Sequence, residues 1–386
     1  MNNYLNKLLI NKILFSTSSK NKIIRSFILI VLIVSLLIVS TIFINSMSKG
    51  IASKFSLLVN GDIEVYTEQN IKDNYEFIES SDTVTSVTGL IYGKESTQIS
   101  NLKAVETSYF NEKRLNSLHL ETIENTTNLP SIIISRELSE NLNIEMGEKA
   151  ALILAKDENK LRPKLVFIQG IYDSGYKEID LNISYMYLSD LKTIYDYDLT
   201  TRQELLLKEG FEIKDALLKL NLDGYISRAW YEIQISAYNN LLVSTQSLLI
   251  VFLVIALLTG YFISSISSDL ITKDHKSIAT NKLLGLKNKV IMKNYFIAIE
   301  LFTVISTVVG IILGIITSKV FLKLISNLSL NKIPSLSWYL FDFELIIPYQ
   351  NILFIAAGLI IISIISVYLS LRRIKHIEVL DLLIHE

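Results

Sequence analysis

The chain has 386 residues, half of them apolar and only 19% charged, against about 25% charged in an ordinary soluble domain; together with a mean hydropathy of +0.39 this argues against a chain made of soluble domains alone. With 37 basic and 38 acidic residues the net charge is -1, which gives no support to nucleic-acid binding. There is no cysteine, so disulfides, thiolate metal sites, a cysteine nucleophile and thiol redox chemistry are excluded.

Residues 1–25 carry Lys7, Lys12, Lys20, Lys22 and Arg25 and no acid. The uncharged run that follows, centred on Phe27-Ile28-Leu29-Ile30-Val31-Leu32-Ile33-Val34, predicts a membrane-spanning helix over 26–47, since about 20 apolar residues cross a bilayer. It is too long for the apolar part of a signal peptide, typically about 7–15 residues, so it is read as a retained span. Met47, Ile51, Phe55 and Leu58 recur on one helical face, and this predicts that the first span continues outward as a stalk to about residue 59.

Residues 48–240 change character: acids are frequent and apolar runs are short. Ile63, Val65, Val84, Val87 and Ile99 alternate with polar neighbours as in strands. Ser131-Ile132-Ile133-Ile134 reads as a buried strand, followed by a helix over 136–143 and a turn at Met146-Gly147-Glu148. Strands are expected at 151–154 and 165–168, joined by a polar loop at 157–164, and again at 183–188. Ser189 is a candidate N-cap for a short helix to 195, and 213–220 reads as helical. The expectation is a mixed α/β domain with two lobes dividing near residue 130. Ile233, Ile235, Tyr238, Leu241 and Leu242 predict that the second membrane helix also begins outside the bilayer, so that two rods join membrane and domain.

Three further spans are predicted at 241–268, 294–322 and 347–371, separated by a loop at 269–293 and a short one at 323–346, with a tail at 372–386. The 269–293 loop carries Lys273, Lys276, Lys282, Lys287, Lys289 and Lys293 against Asp269 and Asp274, and the tail opens Arg372-Arg373-Ile374-Lys375. Lys and Arg favour the cytoplasmic side. Both termini and the 269–293 loop are therefore expected inside, with 48–240 and 323–346 outside. In the third span Ser306, Gly310, Gly314 and Ser318 form a stripe of small residues, of the kind that lets helices approach closely in lipid, either within the chain or against a partner subunit. Glu300 is an intramembrane carboxylate near a helix end, within reach of water or Lys293.

The 269–293 loop contains a short amphipathic helix, Lys276-Ser277-Ile278-Ala279-Thr280-Asn281-Lys282-Leu283-Leu284-Gly285, with Ile278, Leu283 and Leu284 as its apolar residues and Gly285 as terminator. It would lie on the membrane surface or dock into a groove on a cytoplasmic partner. Neither a P-loop nor a His-Glu-x-x-His motif occurs, and His119, His275, His376 and His385 are scattered, so neither a nucleotide site of that kind nor a metal site is expected.

One span, a large external domain, then three spans with a short helix after the second resembles the type VII ABC transporter permeases, which include the macrolide-exporter (MacB), FtsX and lipoprotein-releasing (Lol) permeases. Ile278, Ala279, Lys282, Leu284 and Gly285 match that family's acidic-Ile-Ala-x-x-Lys-x-x-Gly coupling segment, with Ser277 where the family has an acid. In the external domain, Leu129-Pro130-Ser131-Ile132-Ile133-Ile134-Ser135-Arg136-Glu137-Leu138 and the segments around Met146-Gly147-Glu148, Phe167-Ile168-Gln169-Gly170-Ile171-Tyr172 and Gly175-Tyr176-Lys177-Glu178-Ile179-Asp180 are similar to the lipoprotein-releasing (LolC/LolE) branch. The tail Ile377-Glu378-Val379-Leu380 resembles that branch's ending.

The resemblance implies an α-helical membrane protein of four transmembrane helices, MacB/FtsX-like, with a mixed α/β extracytoplasmic domain between the first two. It implies a non-catalytic permease in the bacterial inner membrane, with no cofactor of its own and ATP and Mg held by two LolD-like ATPase subunits. A second permease, identical or different, would complete the complex. Lys276, Ser277, Ile278, Ala279, Lys282, Leu283, Leu284 and Gly285 would couple to the ATPase. A triacylated lipoprotein would leave the membrane lipid between the first two spans, near Phe43, Asn45 and Met47 on one side and Leu248, Phe252 and Ile255 on the other. A LolA-like periplasmic carrier would dock at Asn159, Lys160, Leu161, Arg162 and Pro163, a loop shorter than in the family's carrier-binding subunit. An efflux permease for amphiphilic small molecules or toxins, working with an adaptor, has the same fold; a membrane-anchored receptor is the alternative of another class.

Overall fold

The computed structural model describes residues 20–154, 163–195, 199–332, 344–372 and 374, the side chains of 20–22, 322 and 324–332 excepted. Two units result, with the chain passing from one to the other at Ser46/Met47, Leu241/Leu242, Ile325/Ser326 and Glu344/Leu345.

The first unit holds the membrane helices. Helix α1 (Lys20–Lys54) contributes its part up to Ser46. Among the described residues four helices, over Ile23–Asn60, Ile235–Lys273, Asn288–Phe321 and Tyr349–Leu371, are long and apolar enough to cross a membrane. In the first unit they pack around Ile30, Val34 and Ile38 of α1 together with Ala298, Ile299, Ile355, Leu359 and Val367. The stripe of small residues lies against α1. A Cβ built on Gly310 would come within 2.7 Å of Val34 Cβ, and one on Gly314 within 2.7 Å of Ile38 Cβ. Ser306 and Ser318 are buried at its ends. The stripe therefore serves packing inside the chain. The Ser363 hydroxyl donates to Glu300 Oε1 at 2.9 Å, so the intramembrane carboxylate is held by the fourth span rather than by Lys293.

The second unit is built on one mixed sheet. Its strands are β1 (Ile63–Val65), β2 (Ile78–Tyr92), β3 (Thr97–Val105), β4 (Glu121–Thr122), β5 (Ser131–Ser135), β6 (Lys149–Leu154), β7 (Lys164–Tyr172), β8 (Ile183–Tyr187), β9 (Arg202–Leu207) and β10 (Ser227–Ala229). They lie in the order β10-β1-β9-β2-β3-β8-β5-β7-β4, with β6 joining β2 and β7. Short helices cover the sheet: α2 (Glu112–Leu118), α3 (Arg136–Leu142), α4 (Lys177–Asn182), α5 (Leu188–Ile194), α6 (Ile213–Leu222) and α7 (Trp230–Ile233). Ser135 caps α3, its hydroxyl accepting from the Leu138 amide at 3.0 Å. In α5 the cap position is Tyr187, and Ser189, expected there, lies inside the helix.

The sheet does not divide near residue 130. The long strand β2 pairs over Ile78–Val84 with β9 and over Gly89–Tyr92 with β6, so segments from both sides of residue 130 alternate across it. One apolar core gathers Ile63, Val65, Ile78, Leu205, Ala216 and Leu220 beneath α6. Another gathers Ile91, Leu102, Ile132, Ile134, Leu138, Val166 and Leu191 beneath α3 and α5. The smaller core is thus assembled from the two ends of the domain sequence and the larger from its middle.

Candidate coupling segment, cargo face and stalk clasp

The second membrane helix, α8 (Ile235–Lys273), is followed by α9 (His275–Leu283) and then by α10 (Asn288–Lys332) and α11 (Tyr349–Leu371). In α9 the apolar residues expected on one face point two ways. Ile278 and Ala279 are fully buried, Ile278 within the helix core described above. Leu283 is 61% and Leu284 76% exposed. Lys276 is exposed and Ser277 half-buried. Lys282 Nζ donates to the Ile374 carbonyl at 2.9 Å, and burial pushes its ammonium below the usual lysine range. Gly285 (φ +85) takes the left-handed conformation that ends the helix. The Tyr295 hydroxyl donates to Asp274 Oδ2 at 2.8 Å, fixing the turn before α9. Ile278, Ala279 and Lys282 thus attach the segment to its own chain, and Leu283-Leu284 is left as an outward apolar tip.

The residues expected to line a path for acyl chains are not brought together among the described contacts. Phe43 of α1 meets Phe321 of α10 edge-on, with ring centroids 6.1 Å apart. Phe252 of α8 meets Phe354 of α11 at 6.3 Å, and with Ile255 it packs against the helix core. Each aromatic ring turns to a different neighbour because α10 and α11 offer close partners for it. Asn45, Met47 and Leu248 are half-buried. Leu249, Ile250, Leu253 and Leu257 are among the exposed apolar residues of α8. Of the expected carrier loop, Asn159, Lys160, Leu161 and Arg162 lie outside the described residues, and Pro163 is exposed.

A cluster that sequence reasoning missed lies in the sheet unit, where the first stalk ends. After Lys54 the helix widens into a π-helical turn, Phe55–Asn60, buried throughout. Gly61 (φ +69) then turns the chain into β1, and a Cβ there would lie 2.9 Å from the Leu205 carbonyl oxygen, so only glycine fits. The last carbonyls of a helix have no partners within it. Here they are met by buried side chains. Lys103 Nζ donates to the carbonyls of Leu58 at 3.0 Å and Val59 at 2.8 Å. Arg114 Nε donates to the Leu57 carbonyl at 3.1 Å. The hydroxyls of Tyr185 and Tyr109 donate to the Leu58 carbonyl at 3.0 Å and 3.1 Å. Cations suit the negative end of a helix dipole.

Lys103 is paired with Glu204 at 2.6 Å, and Arg114 with Asp82 at 2.8 Å. Burial pushes the Lys103 ammonium down to about 8, with Glu204 opposing. Burial likewise raises the Glu204 carboxyl, against the pull of Lys103 and Arg202. The second stalk reaches the same place. Gln234 Nε2 donates to Asn60 Oδ1 at 2.9 Å, and the Trp230 amide donates to the Asp62 carbonyl at 3.1 Å. Phe55 stacks on Trp230 with centroids 6.0 Å apart. Both stalk ends and the middle of the sheet are therefore one hydrogen-bonded body. Among the described residues no cluster of His, Cys, Asp and Glu could hold a metal ion.

Residues 249–379 match the FtsX-like permease C-terminal family. Two proteins of Xylella fastidiosa, from strains 9a5c and Temecula1, each named lipoprotein-releasing system transmembrane protein LolC, are 22% identical to this chain over 268 residues. The match covers 66% of the chain and 65% of each relative, so the chain spans just under two thirds of their length. Among solved structures, the periplasmic region of MacB from Actinobacillus actinomycetemcomitans is 13% identical, with a TM-score of 0.29, over 46% of this chain and 92% of that one. The extracellular domain of the noncanonic ABC-type transporter YknZ from Gram-positive bacteria is 15% identical, with a TM-score of 0.29, over 43% and 89%.

Proposed function

We propose that the chain, similar over residues 249–379 to the FtsX-like permease C-terminal family and 22% identical to two LolC proteins, is a type VII ABC permease of the lipoprotein-releasing kind, the non-catalytic permease of an ATP-driven complex that lifts lipoproteins from the outer leaflet of the inner membrane and passes them to a soluble periplasmic carrier. ATP and Mg are bound by separate ATPase subunits. The basic ends of the spans face the cytoplasm and the sheet unit faces the periplasm.

The observation that carries this reading is the division of labour within α9. A segment whose own side chains anchor it through Ile278, Ala279 and Lys282 presents Leu283 and Leu284 outward. An anchored apolar tip fits a groove on an ATPase, where each fully buried leucine contributes about 1.5–3 kcal/mol. Closure of the ATPases on ATP would displace α9 and the spans on either side of it. The two stalks would carry that motion outward, and the clasp at Leu57–Val59 would deliver it to the sheet.

Mass spectrometry of what co-purifies with the chain tests the reading. A separate ATPase together with triacylated peptides is the expected result. An ATPase with a soluble adaptor and no acylated peptide would replace lipoprotein release by efflux.

A further inference from the structure

We infer that the surface receiving the tip of α9 is an apolar groove rimmed by carboxylates: Lys276, Lys287 and Lys289 choose the partner by charge, and Leu283 and Leu284 hold it. The inference deepens the proposed docking of α9 on an ATPase and rests on that reading.

The fold sorts the charges around the tip by sign. From His275 to Ile299 the chain contains no acid. Asp274, at the start of α9, stands where an aspartate commonly caps the first amides of a helix, but it makes no such bond. Its carboxylate accepts instead from the hydroxyl of buried Tyr295. Lys282 is directed to the Ile374 carbonyl. Lys276, Lys287 and Lys289 are exposed, and among the described residues none of them takes part in an ion pair. Lys276 and Leu283 are seven residues apart, about two helical turns, so they share one face, with exposed Thr280 between them. Lys287 and Lys289 follow the tip directly after the Gly285 turn.

Cations at the start of a helix oppose the positive end of its dipole, and the first turn of α10 has no acid to offset them. Lys287 and Lys289 therefore work against the helix that carries them, and their counter-charges belong to what meets the tip. A helix lying in an anionic membrane surface needs an apolar face along its length. In α9 Ile278 and Ala279 are turned inward, and the outward apolar part is two adjacent leucines at one end. A small apolar knob with a basic collar fits a groove with an acidic rim. Rim charges govern the rate of encounter, and the buried apolar contact governs the lifetime of the complex.

The full chain in uncharged detergent is purified with its ATPase, the ATPase is stripped off and added back, and association and dissociation rates are measured at low and high salt. In the triple variant Lys276→Gln, Lys287→Gln, Lys289→Gln the association rate at low salt is expected to fall about tenfold and to lose its salt dependence, with little change in dissociation. The triple variant Lys276→Arg, Lys287→Arg, Lys289→Arg is expected to keep the original rates. Leu283→Ala with Leu284→Ala is expected to raise the dissociation rate instead. An unchanged association rate in the glutamine variant, with dissociation still faster in the leucine variant, overturns the inference and leaves the docking standing. A salt dependence that appears only when phosphatidylglycerol is added assigns the lysines to the membrane surface and likewise overturns it. If no ATPase co-purifies, or the leucine variant binds as the unaltered chain does, the docking itself falls and takes the inference with it. Because all three lysines are exposed, an unaltered melting temperature of the glutamine variant separates a slowed encounter from a lost fold.

Discussion

The ammonium of Lys103 donates to the carbonyl of Val59, the next-to-last residue of the first stalk, at 2.8 Å. The same ammonium is held by Glu204 at 2.6 Å. The stalk end is therefore tied, through one lysine, to a strand in the middle of the sheet.

Replacing Lys103 by Met leaves buried Glu204 facing only Arg202, 3.8 Å away; breaking a buried pair by removing one partner costs up to about 3–5 kcal/mol. The variant is expected to unfold at clearly lower temperature, and adding Glu204→Gln is expected to recover part of the loss. Thermal unfolding of the full chain in detergent measures both. Equal stability of Lys103→Met and the unaltered chain would mean that the pair does not hold the joint.

Under the proposed function, release is expected to be affected separately from ATP hydrolysis. Tyr185→Phe removes one donor to the Leu58 carbonyl while keeping the ring, a change worth about 1 kcal/mol. In a reconstituted complex, ATPase activity is expected to persist while lipoprotein released per ATP falls. A parallel fall of both would place the defect below the stalk.

Asp180 provides a pH signature. Burial raises its carboxyl to about 6 from 3.8, against the amide of Ser174, which donates to Oδ1 at 3.1 Å, and the nearby Lys54. The folded value is above the unfolded one, so the folded state holds the proton more tightly. The resulting stabilisation is fully present below about pH 4 and is lost as pH rises through about 6, about 3 kcal/mol in all. Asp180→Asn is expected to remove this slope. Unfolding scans between pH 4 and pH 7 decide, and an unchanged slope in the variant would assign it to another group.

The two faces of α9 should answer differently to the same substitution. Asp at Leu283 and Leu284, both exposed, is expected to abolish co-purification of the ATPase and leave the permease stable. Asp at Ile278, fully buried, places an unpaired charge in the helix core and is expected to lower permease yield and stability. Retention of the ATPase by the double leucine variant, seen in a detergent pull-down, would remove α9 as the docking element.

Gly310→Leu and Gly314→Leu force side chains into Val34 and Ile38 of α1. Overpacking of this kind costs typically about 1–3 kcal/mol. Melting curves of each variant in detergent are expected to shift downward. No shift in either would mean that the two helices are not in contact there.

The four spans were legible because a bilayer demands length and apolarity from contiguous residues, and 26–48 or 345–371 supply both without a charge. The strand at Ser131–Ser135 and the helix after it were legible for a similar reason: an apolar run, then a capping serine, all within a dozen or so positions. The short helix His275–Leu283 and its glycine stop were visible too, as a spacing of Ile278, Ala279, Lys282 and Gly285.

What tertiary structure alone decided is pairing at a distance. Whether Leu283 or Ile278 faces outward depends on which neighbours exist to cover each, and the core that covers Ile278 comes from other helices. Phe43 and Phe252 looked like facing walls of one path, yet α10 and α11 supply nearer partners for both. Lys103 and Glu204 read as ordinary charged strand residues, because nothing local marks a lysine whose partners lie in a helix end 44 residues earlier and a strand 101 residues later. Apolar length and local caps are properties of a segment, so the sequence determined them; burial and ion pairing are properties of what else arrives beside that segment, so the fold had to.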